Sequence, residues 1–517
     1  MKKITLTLLA LSMISSCGLQ VRDNPTTTSG NPNTSGNPNT SGDTFTVGGH
    51  TSGLPHGKSV VISNDGHDMT VTSNGVFTFP QNFPTNTPYN VDVVTGPGGA
   101  YTCTLQNDSG TIDNANVTNV ELTCTCGNGS LGVGTGTSGN PILVYTSTQL
   151  NTISTSATST SMSKYYKQVC DLDYSNIAAP KPIGGNSTPF SGSYDGDGWF
   201  ILNYTSGSST ASLNDNKGLF GKTQDATLKN INLSNFDLTA DAGMGNGKMG
   251  ALAGIASGTA ITQVYAEDIT INENGQCLDG VGGLVGNHLK YNCQSGSCTD
   301  AELNGVHVRR VDIYALTSQN VGGVFGTTNV DDSRNIQASD IHVHDCDFQC
   351  GGIAGSLTGK SSFFEMNAQN VTVEGNENVG GITGLNYGVI NRSAFVGTVN
   401  GKTTAGHFGG IAGNGSSLDP MYNSYTVSDV LSVTGTTAAG RVAGGPAGIT
   451  NVAYDNTQTC QNCSVAGGTS VAGSTSFRNG THASQNSWDF VANWCLVDGD
   501  FPQLVNVPFS VCEASGL

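Results

Sequence analysis

A short glycine-rich motif that recurs at nearly regular intervals constrains the fold of this chain more than any other feature. From Gly221 to Gly444 the closing glycines of successive copies are 33, 32, 40, 29, 29, 29 and 31 residues apart. A unit of about 30 residues is too small to bury its own apolar face, so neighbouring units must stack. The motif glycines are Gly218, Gly221, Gly250, Gly254, Gly282, Gly283, Gly286, Gly322, Gly323, Gly326, Gly351, Gly352, Gly355, Gly380, Gly381, Gly384, Gly409, Gly410 and Gly413, and a degenerate copy ends at Gly444.

The segments between the motifs alternate apolar and polar residues, as at 371–373 and 425–427. Alternation of this kind is typical of short strands. Two or three strands per unit, joined at glycine corners, describe one coil of a parallel β-helix, because only Gly lets stacked backbones approach closely. Eight or nine coils at about 4.8 Å each predict a rod roughly 40 Å long.

The composition supports this fold and restricts the classes of molecule that the protein can bind. Gly supplies 71 of 517 positions and charged residues only 11%, which excludes a helical protein rich in Glu and Lys. The formal net charge is −18, and the sequence contains no run of Lys or Arg. We therefore expect no nucleic-acid partner, because such proteins need a basic surface.

The N-terminus reads as an export signal over residues 1–16, with Lys2 and Lys3 before an apolar stretch too short to span a bilayer. The sequence Ile-Ser-Ser-Cys that ends at Cys17 resembles the lipobox of bacterial lipoproteins. That resemblance implies cleavage before Cys17, lipidation of its thiol, and anchoring in the outer membrane because Gly18 follows. Residues 17–44 repeat Ser-Gly-Asn-Pro-Asn-Thr and predict a flexible tether.

Residues 45–126 show six or seven short alternating segments separated by Asn-Gly, Gly-Pro and Asp-Ser-Gly turn signals. This spacing predicts a small β-sandwich, with Cys103 and Cys124 on its last strands. The stretch resembles the immunoglobulin-like module of bacterial surface lipoproteins. The resemblance implies a spacer or a binding module.

The glycine repeats resemble the GLUG motif of filamentous-haemagglutinin-type adhesins and of IgA-specific metallopeptidases. The segment from Pro141 through YDGDGWFI resembles the usual entry, with a short helix near Thr148–Ile153, and WDFVANWCLVDGDFPQLV resembles the usual exit. The resemblance implies that residues 127–517 form an all-β parallel β-helix with a C-terminal cap. The metallopeptidases need H-E-x-x-H to hold zinc, and none of the nine histidines is followed by Glu.

Two short segments raise the possibility of a bound ion. Strand alternation places Asp340, His342 and His344 on one face, which would suit a surface metal site, but the sequence specifies no further ligand from a neighbouring coil, and a plain polar strand face is the favoured explanation. The turn at 195–199 resembles a calcium loop but lacks the later Glu. We expect the polar face and the turn, and therefore neither a metal nor a cofactor.

An enzyme is the main alternative to a binding protein, because β-helix polysaccharide lyases and hydrolases gather acidic and basic residues across successive coils. The candidates here are Asp268, Asp312, Asp340, Asp347, Arg309, Arg310 and Arg334, and no spacing singles out a subset. Aromatic residues that could stack on sugar rings, or simply pack in the core, are Tyr387, Phe395, Phe408, Tyr422 and Tyr425. No nucleophile elbow and no P-loop is present in the sequence.

The cysteines point to disulfides in an exported chain, because fourteen minus Cys17 leaves thirteen. Close sequence spacing suggests five pairs: Cys103 with Cys124, Cys126 with Cys170, Cys293 with Cys298, Cys460 with Cys463, and Cys495 with Cys512. A Cys346–Cys350 bridge is possible but tight, and it would leave Cys277 single. The pair at 293 and 298 lies in the 40-residue interval and predicts a stapled loop that protrudes from the rod.

The sequence therefore favours an outer-membrane lipoprotein that presents a rigid rod for adhesion, with an extracellular glycan or protein as its ligand. The rivals are a polysaccharide-degrading β-helix enzyme and a structural spacer of the envelope.

Overall fold

The computed structural model describes residues 43–155, 158–206, 216–290, 301–359, 362–416, 418–434, 436, 438–465 and 467–514. The predictions for the signal segment, for Cys17 with most of the tether, and for the Cys293–Cys298 loop concern residues outside these ranges. Within them the chain is almost entirely β, as expected. Every helix among the described residues falls short of the length and hydropathy of a membrane span.

Two four-stranded sheets form the N-terminal β-sandwich. One sheet orders its strands as Gly75–Pro84, Thr44–Ser52, Val117–Cys126 and Tyr101–Gln106. The other orders them as His67–Val71, Val60–Asn64, Pro88–Thr95 and Ser109–Thr111. Inward residues such as Val47, Ile62 and Phe79 alternate with exposed ones and fill the space between the sheets.

Three parallel sheets form the β-helix and confirm the predicted fold class. The nine-stranded glycine sheet contains Asn216–Lys217, Lys248–Met249, Gly280–Gly282, Asn320–Gly322, Gln349–Gly351, Asn378–Gly380, His407–Gly409, Ala438–Gly440 and Cys463–Val465. The seven-stranded sheet contains Phe220–Gln224, Ala253–Ser257, Val285–Leu289, Phe325–Thr328, Ala354–Leu357, Thr383–Asn386 and Ala412–Gly415.

The third sheet, called the long sheet here, carries the longest strands. Its strands are Ile142–Val144, Tyr165–Gln168, Leu172–Asp173, Ser193–Asp195, Phe200–Thr205, Thr227–Thr239, Ala260–Asn272, Leu303–Tyr314, Ser333–Cys346, Ser362–Gly375, Val389–Asn391, Ala394–Gly401, Pro420–Tyr422, Tyr425–Ser432, Gly448–Thr450, Ala453–Asp455 and Thr469–Val471. The helix Ser147–Thr155 precedes the first coils and covers the predicted helix near 148–153.

The motif glycines sit where neighbouring coils touch. A Cβ added at Gly352 would lie 2.3 Å from the carbonyl oxygen of Gly381 in the next coil. A Cβ at Gly355 would lie 2.4 Å from the amide nitrogen of Val321 in the preceding coil. The glycines are therefore required by close backbone contact, as the spacing predicted. Between them, Ile353 and its counterparts in other coils are fully buried in one continuous core.

Each long strand bends twice, at two residues in the left-handed region that lie five positions apart. The pairs are Asn230 and Asn235, Gln263 and Asp268, Gly305 and Arg310, Asn335 and Asp340, and Glu365 and Asn370. Asn and Asp tolerate this conformation better than most residues. The bends divide each strand into three stretches. We call the stretch between the two bends the middle facet, and the stretch after the second bend the open facet.

The C-terminal residues 474–514, called the strap here, run back along the outside of the β-helix. They include the short helices Thr475–Arg478, Ala483–Gln485 (a 3-10 turn) and Val511–Ala514, and the antiparallel pair Trp494–Cys495 and Gln503–Leu504. The strap starts against Tyr425 in a late coil, where Phe477 and Trp488 stack on the tyrosine ring. It ends at Phe509, whose ring contacts Tyr265 and Phe200 in early coils.

Polar and aromatic contacts fix the sandwich to the first coils. A disulfide joins Cys126 to Cys170, and the amide of Ala100 donates to the carbonyl oxygen of Val169 at 3.2 Å. Tyr101 stacks on Trp199 at 5.4 Å between ring centres. The sandwich is therefore in direct contact with the first coils of the rod.

Candidate functional site

The open facet brings two histidines and an aspartate together. His342 and His344 lie two residues apart on one strand, so both side chains point outward. Parallel register pairs His342 with Asp312 and His344 with Tyr314 of the preceding coil. Candidate ligand atoms of Asp312, His342 and His344 all lie within 4.8 Å of one another. We call these three residues the Asp–His–His cluster.

The contacts inside this cluster hold the two imidazoles in place. Nε2 of His344 lies 3.3 Å from Oδ1 of Asp312, and the Tyr314 ring stacks on the His344 ring at 4.3 Å with an interplanar angle of 6°. The His342 and His344 ring centres are 3.5 Å apart. Burial lowers the pKa of His342, and the neighbouring His344 lowers it further. The lowered pKa favours the neutral form of the His342 imidazole, which is the form that binds metal ions.

A cation and a carboxylate border the cluster on the next coils. Nζ of Lys402 lies 3.0 Å from Oε2 of Glu374 and 2.9 Å from Oδ1 of Asp345. Burial opposes ionisation of Glu374, but hydrogen bonds from Lys402 and Asn400 outweigh it and lower the pKa of this carboxyl. Tyr314 is 45% exposed, so an apolar ring face lies beside charged and hydrogen-bonding groups.

Asp340 lies apart from the Asp–His–His cluster, although alternation had placed it with the two histidines. Its left-handed conformation, with φ of 55°, breaks the alternation at the second bend. Oδ1 of Asp340 instead accepts a hydrogen bond from Nδ2 of Asn370 at 2.5 Å. Asp312, which sequence analysis grouped only with scattered acids, is the carboxylate of the cluster.

The other acidic and basic candidates are held by separate partners. Nε of Arg310 donates to Asp268 at 2.6 Å, and Asp347 accepts from Asn376 at 3.1 Å. The Arg334 guanidinium lies over the Phe364 ring at 5.8 Å. The candidates therefore do not all meet in one place: Asp268, Arg309 and Arg310 gather around Glu267, whereas Asp347 and Arg334 have other partners.

A second polar cluster surrounds Glu267 where the sandwich meets the rod. Oε2 of Glu267 accepts from the Tyr265 hydroxyl at 2.7 Å and from Arg310, while Arg309 and His56 of the sandwich lie within 4 Å of its carboxylate. The Glu267 side chain is only 9% exposed. These contacts join two parts of the molecule, so we interpret this cluster as an anchor.

The aromatic candidates mostly pack inside the molecule. Phe395 and Phe408 are fully buried in the rod, and Tyr425 is fully buried under the strap. Tyr422 is half-buried, and Tyr387 is 45% exposed on a different side of the rod. The turn at 195–199 also has a structural explanation, because Lys229 pairs with Asp195 at 3.2 Å and Lys167 pairs with Asp197 at 3.0 Å.

Five disulfides join cysteines within the described residues. They are Cys103–Cys124, Cys126–Cys170, Cys346–Cys350, Cys460–Cys463 and Cys495–Cys512. Four of these match the spacing-based pairs, and the fifth is the bridge considered tight. In the part of the chain that the structure describes, Cys277 is the one free cysteine, and it is exposed.

The fold and the open facet together define a class: a parallel β-helix of glycine-rich repeats that carries an N-terminal β-sandwich and a back-folded C-terminal strap. Neither a known family model nor a curated protein matches the sequence. A crystal structure from Bacteroides ovatus, described provisionally as an immunoglobulin A1 protease, matches with 17% identity and a TM-score of 0.37. The match covers 72% of this chain and 95% of that one. A similarity of this size carries no information about activity.

Proposed function

We propose that this protein is a surface binding protein whose open facet holds an extracellular ligand, with a glycan as the favoured class and a protein as the alternative. The observation that carries the proposal is the difference between neighbouring facets of the same strands. The strap covers the middle facet from Tyr425 to Tyr265, whereas the open facet presents Tyr314 and Asp312 to solvent.

The chemistry of the open facet suits a sugar. A sugar ring offers an apolar face and a rim of hydroxyl groups. The exposed Tyr314 ring provides an apolar surface. Asp312, His342 and Glu374, on the same and neighbouring coils, provide hydrogen-bonding groups beside it. A row of coils repeats this facet along the rod, so an extended chain could contact several coils at once.

We further propose that binding, and not chemical conversion, is the role of this protein. The acidic candidates Asp268, Asp340 and Asp347 each have a different partner, as described above. The test is to incubate the purified full chain with a panel of polysaccharides. Shortening of any polymer would support the enzyme alternative.

Binding is tested with the full chain on arrays of extracellular glycans and matrix proteins. Tyr314→Ala is expected to weaken ligand binding about tenfold or more, because it removes the exposed stacking surface. Tyr387→Ala is the matched control, since Tyr387 is equally exposed, at 45%, on another side of the rod. Equal loss in both variants, or unchanged binding in Tyr314→Ala, would contradict the proposed facet.

We also propose that Cys17 carries the lipid that anchors the protein to the outer membrane. The support is the lipobox-like sequence that ends at this residue. Cys17→Ser is expected to abolish incorporation of labelled palmitate and to release the chain from the membrane fraction. Retention of both in the variant would remove the anchor from the proposal without affecting the binding facet.

A further inference from the structure

The Asp–His–His cluster has the composition of a transition-metal site. Imidazole nitrogens suit Zn²⁺, Cu²⁺, Ni²⁺ and Fe²⁺, and a single carboxylate completes a common three-residue set. The three side chains come from two adjacent coils whose register is fixed by eight further pairs along the same strands. We propose that Asp312, His342 and His344 bind a divalent transition-metal ion on the open facet.

The distances fit such an ion. Bonds of about 2.0–2.2 Å in a tetrahedral site place ligand atoms roughly 3.3–3.5 Å apart. The His344 Nε2 to Asp312 Oδ1 distance is already 3.3 Å. All three ligand atoms lie within 4.8 Å of one another, so small side-chain rotations bring the set to bonding distance of one ion.

An orphaned nitrogen gives a second, independent indication. Nε2 of His342 is buried and has no hydrogen-bond partner. A buried polar atom without a partner is costly, and here the atom belongs to one of three clustered ligand side chains. A metal ion between the two imidazoles and Asp312 would supply that partner. It would also explain why two rings stand 3.5 Å apart on an acidic protein surface.

The surroundings are arranged to orient the ligands and to leave room on the ion. Tyr314 stacks on His344 and fixes its ring plane. The Asp312 side chain is 54% exposed, so the site faces solvent. Three protein ligands leave at least one coordination position open, which water or a group of a bound molecule can occupy. This inference goes beyond the proposed function, since the ion can bind whether or not the facet holds a glycan.

The experiment is a Zn²⁺ titration of the chelator-treated full chain by isothermal calorimetry. One Zn²⁺ per chain is expected, with Ca²⁺ giving no signal because calcium prefers all-oxygen sites. Asp312→Asn and His344→Ala are each expected to weaken Zn²⁺ binding by at least about 100-fold, since loss of even an outer-shell partner costs about 10- to 100-fold. Co²⁺ added to the unaltered chain should give visible absorption bands typical of tetrahedral coordination.

The matched control is His50→Ala, which removes an exposed histidine from the sandwich. It is expected to leave the Zn²⁺ affinity unchanged. The proposal is overturned if the unaltered chain binds no Zn²⁺, or if Asp312→Asn and His344→Ala bind it as tightly as the parent. It is also overturned if His50→Ala removes the signal, which would show adventitious binding to surface histidines.

Discussion

The middle facet and the open facet belong to the same strands, five residues apart, yet one is covered and the other faces solvent. On the middle facet, outward residues form hydrogen bonds with strap backbone: Asn367 and Gln369 donate to Pro502, and Gln337 accepts from Leu504. On the open facet, the outward residues at the corresponding coils are His342, His344 and Glu374.

The contrast shows how a rod of repeated coils acquires two distinct sides. Side-chain amides can satisfy the polar backbone of an irregular strap, so the middle facet tolerates burial. The titratable groups buried on the middle facet, His307 and Glu267, have hydrogen-bonding partners in the Pro508 carbonyl and Arg310, which offset the hydration that they lose. The left-handed residue at the second bend turns the open facet away from the strap. The strap therefore hides one polar face and leaves the other exposed to solvent.

The largest predicted effect is a difference in unfolding free energy between a variant of the strap and a variant of the open facet. Trp494 is fully buried in the strap and stacks on Trp488 at 4.1 Å. Trp494→Ala should lower the free energy of unfolding by about 3–5 kcal/mol, the usual cost of deleting a buried Trp. Tyr314→Ala, on the open facet, should change it by less than about 0.5 kcal/mol. Denaturant unfolding of the full chain measures both.

Equal losses in the two variants would show that the open facet is as deeply packed as the strap. A small loss in Trp494→Ala would show that the strap lies only loosely on the rod. Circular dichroism before unfolding verifies that both variants keep the β-helix, so that the comparison concerns stability alone.

A smaller effect depends on pH. Nδ1 of His307 donates to the Pro508 carbonyl at 2.9 Å under the strap, and burial lowers the pKa of His307 to about 4. The unfolded chain has the ordinary value of about 6.5, so it binds more protons than the folded chain between these two values. Stability should therefore be complete above about pH 6.5 and fall as the pH drops towards 4, by at most about 3 kcal/mol from this residue.

His307→Asn keeps a donor towards Pro508 and removes the titrating ring. Its unfolding free energy should fall less between pH 7 and 4 than that of the parent, although His288, whose pKa burial also lowers to about 4, still contributes in both. Parallel curves for the parent and His307→Asn would contradict the assignment.

The coils were predictable from the sequence because close backbone contact leaves only Gly possible at positions such as Gly352. The regular spacing of these glycines follows from that requirement. The pairing of Asp312 with His342 was missed because loops of unequal length separate the repeats. The register is visible only in the structure, where aligning the strands on their bend residues, Arg310 with Asp340, places Asp312 opposite His342. Alternation failed at Asp340 because a left-handed residue shifts the faces.

The strap could not be predicted because its contacts depend on tertiary structure. Its exit-like sequence suggested a cap for the end of the rod, whereas Leu504 and Pro508 contact coils that precede them by more than 160 residues. No periodicity in residues 474–514 encodes which facet they cover. Only the geometry of the middle facet, with its row of amide side chains, selects that position.

The smallest expected effect concerns the bend that separates the facets. Asn370 has φ of 52° and donates to Asp340 at 2.5 Å. Asn370→Ala should lower the unfolding free energy by about 1–2 kcal/mol, because Ala tolerates the left-handed region poorly and the hydrogen bond is lost. Asn370→Gly loses the same hydrogen bond but adopts this conformation freely, so it should cost less than Ala in the same unfolding assay. If Gly is no better than Ala, the hydrogen bond to Asp340, and not the backbone conformation, fixes the bend between covered and open facets.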